Sequence, residues 1–114
     1  MLRNRAFTLV EIMIVILIIA ILLAVAVPQF IKARTQSWQK TCMANMREID
    51  GAKELFAGDN KLNNGDPVVQ GDLWPTYIRG GSFPRCPGGG VYTLGNIGET
   101  PVCNYAGALP HVLP

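Results

Sequence analysis

Sixteen apolar residues run unbroken from Ile12 to Val27, and at Pro28 the pattern changes to an apolar stripe on a polar background. Between Ala6 and Val27 only Thr8 and Glu11 interrupt the apolar character. At ~1.5 Å per residue, those 22 residues as a helix span about 33 Å, enough to cross a ~30 Å hydrocarbon core. Beyond Pro28, Trp38, Cys42, Met46, Ile49 and Phe56 recur at the spacing of one helical face, and Met43, Ala52 and Leu55 widen it. Lys40, Arg47, Glu48, Asp50, Lys53 and Glu54 fall on the opposite surface. The pattern predicts one helix over 7–57, apolar in its first half and amphipathic in its second. Pro28 cannot donate a backbone bond to Ala24, so it is expected as a helix break.

After Gly58, Asp59 and Asn60 the chain is rich in turn residues. Residues 72–78 predict a short helical turn with Asp72 as its N-cap. Residues 91–94 and 100–103 predict two strands joined through Gly95 and Gly98. So small a sheet is not stable alone and must pack on the amphipathic helix. The expected fold class is α+β: a long N-terminal α-helix packed on a small antiparallel β-sheet head. The segments are a leader over 1–6, a hydrophobic transmembrane or core helix over 7–28, an amphipathic helix over 29–57, and a head over 58–114.

Charge narrows the function classes. Ten Lys and Arg stand against eight Asp and Glu, and two of the ten, Arg3 and Arg5, precede Ala6. Without them the chain is balanced, which gives no basic patch for nucleic acid. Arg3 and Arg5 place the N-terminus on the cytoplasmic side and the head outside the cytoplasm. Ala24 and Ala26 formally fit a signal-peptidase site, but Pro28 and an amphipathic helix follow directly, and the apolar run fits a retained segment. Glu11 within that run needs a partner, because an acid at the centre of a membrane helix costs roughly 2.5–3.5 kcal/mol.

Phe7, Thr8, Leu9, Val10, Glu11 and Ile12, behind a short basic leader and ahead of an apolar helix reaching Pro28, resemble the N-terminus of type IV pilins and of type II secretion pseudopilins. The resemblance implies a pilin fold and cleavage between Ala6 and Phe7 by a prepilin peptidase, with N-methylation of Phe7. The leader ends in Ala6 where the family usually has Gly. Phe7 and Glu11 then serve assembly, the carboxylate meeting the amino terminus of a neighbouring subunit. Partners implied are further copies of the chain, the membrane, and an inner-membrane assembly platform with its ATPase. The expected location is the bacterial inner membrane before assembly, and a periplasmic pseudopilus or cell-surface pilus afterwards. Residues 42–53 and 85–94 resemble the major, G-type pseudopilins. Those of the well-known kind bind calcium, but from Cys86 onward this chain has one acid, Glu99, too few for such a site.

Cys86 and Cys103 flank the predicted hairpin with sixteen residues between them, outside the cytoplasm. They are expected to form a disulfide contributing roughly 3 kcal/mol. Cys42 lies on the buried stripe and reads as a small core residue. Cys86, Cys103 and His111 lack the short spacings of zinc sites, so no metal is expected. Gly88, Gly89 and Gly90 lack the Lys-Ser/Thr of a phosphate loop and read as a flexible lead into the hairpin. His111 is the sole histidine, and no catalytic constellation converges. The chain is therefore expected to be no enzyme and to need no cofactor. The other class left standing is a non-polymerising, membrane-anchored extracytoplasmic binding module.

Overall fold

A computed structural model of the chain describes residues 6–113; Arg3, Arg5 and the leader up to residue 5 lie outside the described residues. The chain divides into two units, Met1–Arg34 and Thr35–Pro114. Helix α1, Leu9–Asn60, contributes to both.

In the first unit the helix begins where the sequence supplies a cap. The Thr8 hydroxyl accepts the Glu11 backbone N–H at 3.2 Å, and the Thr8 carbonyl accepts that of Ile12 at 3.3 Å. Thr8 is thus the N-cap, satisfying a donor that the first turn would otherwise leave unpaired. Every large apolar side chain from Leu9 to Ile31 is exposed, Leu9 at 78% and Val15, among the least, at 45%. Pro28 lies inside α1, which continues on both sides of it. Proline removes one backbone bond there, and the hydrogen-bond ladder on either side keeps the helix continuous, as the single helix predicted over 7–57 implies.

In the second unit α1 buries Cys42, Met46, Ile49, Ala52, Lys53 and Ala57. The helix ends with Lys61 at φ 54°, and the Leu62 N–H reaches back to the Ala57 carbonyl at 2.9 Å. This is a left-handed C-terminal cap built without glycine. Helix α2, Gln70–Leu73, starts two residues before the predicted turn. Asp72 is not its cap residue. It sits in the first turn, and its carboxylate accepts the Val69 N–H at 3.0 Å. Strands β1, Tyr92–Thr93, and β2, Val102–Cys103, pair antiparallel with Tyr92 opposite Cys103 and Thr93 opposite Val102. The fold is α+β, as expected.

The core forms two clusters. One joins Ile49, Ala52 and Ala57 of α1 to Val68, Leu73, Ile78 and Ile97. The other joins Cys42 and Met46 to Cys86, with Tyr92, Cys103, Tyr105 and Leu113 packed around them. The helix therefore packs mainly on α2 and loops, while the sheet contributes chiefly Tyr92 and Cys103. Lys53, expected on the polar surface, is buried at 1% exposure. Its ammonium donates to the Leu94 carbonyl at 2.7 Å and to that of Glu99, both in the loop between the strands. Burial lowers its pKa, while Asp50, Glu99 and Glu54 act the other way. The aliphatic stem crosses the core and the charged head satisfies carbonyls that would otherwise lack a donor.

Candidate functional site

Two sets of side chains stand out, one in each unit. In the first unit Ala6 and Phe7 precede the helix and are exposed, Phe7 at 77%. Glu11 follows in the first turn, exposed, with its backbone tied to Thr8. An acid there complements the positive end of the helix, and its side chain is exposed. The Thr8–Glu11 spacing carried this cap in the sequence as a threonine followed three residues later by glutamate. The helix that follows is apolar all round and long enough to cross a membrane.

In the second unit Cys42, Cys86, Cys103 and His111 bring their donor atoms together, all within 4.8 Å of one another. They come from four places in the chain: α1, the loop before β1, β2 and the C-terminal segment. The structure holds all three cysteines as free thiols, Cys86 and Cys103 of the expected disulfide among them. Cys86 Sγ lies 3.2 Å from His111 Nδ1, and both sulfurs also meet Cys42. The expected absence of a metal site rested on Cys86, Cys103 and His111 alone; Cys42 completes a set of three sulfurs and one imidazole.

The shell around this cluster is specific. Backbone amides of Gly88 and Gly90 hydrogen-bond the Cys86 sulfur. Burial by itself raises the Cys86 pKa, but these amides, with Cys42 and Cys103, bring it below the usual thiol value. The Tyr105 amide hydrogen-bonds Cys103 Sγ, whose pKa burial nonetheless pushes up. The Tyr92 hydroxyl hydrogen-bonds Cys42 and accepts Asn45 Nδ2 at 3.2 Å. Asn45 Nδ2 also donates to the Arg85 carbonyl at 3.0 Å, next to Cys86. The Tyr105 ring stacks on His111 with centroids 4.0 Å apart. Gln39 Nε2 donates to the Pro110 carbonyl at 2.9 Å, which holds the segment before His111 against α1. Burial lowers the His111 pKa, favouring the neutral ring.

Gly90 has a steric role here rather than one of flexibility. A Cβ on it would stand 2.6 Å from Cys103 Sγ, so only glycine lets that sulfur approach. Gly88 likewise clears the Tyr105 ring, which a Cβ would meet at 2.5 Å. The sequence marked three of the four donors but assigned Cys42 to the core, because 44 positions separate it from Cys86 and only folding closes that distance. Elsewhere, a cleft of about 560 Å³ lies between the loops around Trp74 and Arg85, and Arg85 is its single charged lining residue.

Comparison with known proteins bears on the first unit most directly. Residues 1–27 match the model of the prokaryotic N-terminal methylation motif. The chain is 46% identical over 54 residues to the type IV major pilin protein PilA of Myxococcus xanthus (strain DK1622), covering 47% of this chain and 24% of that one. It is 28% identical over 109 residues to the type II secretion system core protein G of Escherichia coli (strain K12), covering 85% of this chain and 75% of the relative. It is 35% identical over 109 residues to the type IV major fimbrial protein FimA of Dichelobacter nodosus, covering 94% of this chain and 59% of the relative. The chain thus spans about a quarter of the first of these relatives and larger shares of the others. No solved structure matches the chain significantly. With the methylation motif at the head of an uninterrupted apolar helix, and likeness over most of its length to both a fimbrial and a secretion-system subunit, the chain is similar to type IV pilins and type II secretion pseudopilins.

Proposed function

We propose that this chain is a structural subunit that polymerises into a type IV pilus-like or type II secretion pseudopilus filament. The observation that carries this reading is the apolar helix of the first unit, whose side chains are all exposed while one carboxylate, Glu11, sits in its first turn. Apolar surface on that scale is stable only in lipid or against other apolar helices. A subunit that moves from membrane to filament core uses the same surface in both places. Likeness to pilins and to protein G supports this over a static anchor.

A prepilin peptidase removes residues 1–6 by cleaving between Ala6 and Phe7, and the new terminus at Phe7 is methylated. The subunit waits in the inner membrane with its N-terminus cytoplasmic and its head outside. An assembly platform and its ATPase then draw it into the fibre. During addition, Glu11 pairs with the cationic terminus of a neighbour. In low dielectric either charge alone is costly, so a subunit in the wrong axial register is penalised by an unpaired carboxylate.

Two measurements test the proposal. The intact mass of the chain from native membranes or filaments is expected to lack residues 1–6 and to carry one added methyl group. Glu11→Ala is expected to insert in the membrane normally and to abolish sedimentable filaments. Normal filament yield from that variant would overturn the register mechanism, and an unprocessed mass would favour the anchored binding module.

A further inference from the structure

We propose that Cys42, Cys86, Cys103 and His111 form a structural binding site for a borderline-soft divalent metal ion, zinc being the best fit. Three sulfurs and one imidazole make a donor set of the kind that closed tetrahedral zinc sites use. With bonds of about 2.3 Å to sulfur and 2.0–2.1 Å to nitrogen, the donors of such a site stand about 3.5–3.8 Å apart. Here all four donor atoms already lie within 4.8 Å of one another, so coordination needs only small side-chain adjustment.

The cluster suits a metal better than a disulfide. A Cys86–Cys103 bridge would use two sulfurs and leave the Cys42 thiol and the His111 ring buried beside it. His111 is 1% exposed, its Nε2 has no hydrogen-bond partner among the described residues, and its Nδ1 faces Cys86 Sγ. Gly90 keeps the approach to Cys103 open. The remaining shell, Tyr92 on Cys42 and Tyr105 on His111, orients two further donors.

The site also answers a structural need. Apart from α1, the second unit holds one four-residue helix and two two-residue strands among its described residues. Small units with so little regular structure commonly require a staple. One ion bound here would tie α1, the loop before β1, β2 and the C-terminal segment together at a single point, coupling metal binding to folding of the head.

The test uses the full chain isolated in detergent from its native membranes. Elemental mass spectrometry is expected to find one zinc per chain. Alkylation is expected to leave all three thiols unmodified until a chelator is added, after which all three react. Absence of retained metal, or an unreduced mass lower by two hydrogens with Cys42 alone alkylated, would overturn the proposal in favour of the disulfide. Because Cys42→Ser or His111→Ala could simply unfold the head, the ligand set is checked by cobalt loading. His111→Cys is expected to keep one metal per chain and to shift the visible bands of tetrahedral cobalt toward an all-thiolate spectrum. An unchanged spectrum would remove His111 from the site.

Discussion

The two halves of helix α1 are built from similar apolar side chains and yet do opposite things. Leu17, in the first unit, is 60% exposed, whereas Ile49, in the second, is fully buried. The first half has no polar face, so nothing in its own unit selects a side to bury, and its packing is left to lipid or to other copies. The second half has one apolar stripe, which fixes a single face against α2 and the loops of the head. An amphipathic helix completes its folding within its own chain, and a uniformly apolar one does not.

That contrast gives its sharpest test in matched substitutions. Ile49→Ala is expected to destabilise the head by about 2–5 kcal/mol in denaturant unfolding, because it opens a cavity where no solvent reaches. Leu17→Ala removes similar chemistry and is expected to leave head stability unchanged. A comparable loss from Leu17→Ala would mean that the two units fold as one. A smaller effect is expected at Lys53. Lys53→Met keeps the stem and deletes the donor to the Leu94 and Glu99 carbonyls, at a cost of about 1–3 kcal/mol. If Lys53→Met were neutral, the lysine would be serving as apolar filler alone. The smallest effect belongs to the end of α1. Lys61→Gly relieves a left-handed residue and is expected to raise stability by roughly 0.5–1 kcal/mol, measured by the same unfolding curves. A loss there would argue that the lysine side chain makes a contact worth more than the strain.

Much of the helix was legible beforehand. The stripe through Cys42, Met46 and Ile49 named buried positions directly, because helical periodicity is local. The same periodicity misplaced Lys53, since charge alone said surface while its partners, Leu94 and Glu99, lie more than forty positions away. Ile97 lies in the predicted connection between the strands, yet it is core. Its N–H binds the Asp66 carbonyl at 2.9 Å and its carbonyl accepts the Gly65 N–H at 2.8 Å, an anchorage that no local pattern announces.

What the amino-acid sequence determined by itself is everything that depends on neighbours along the chain. This includes the apolar span, the acid near its start, the amphipathic stripe beyond it, and the strand pair. What only the tertiary structure decided is the meeting of distant groups. Cys42 joins Cys86, Cys103 and His111 across as many as 69 positions, and Gly90 leaves the clearance that the Cys103 sulfur needs. Local propensity acts over a few residues, whereas a four-donor site exists only once packing has closed the loops between its members.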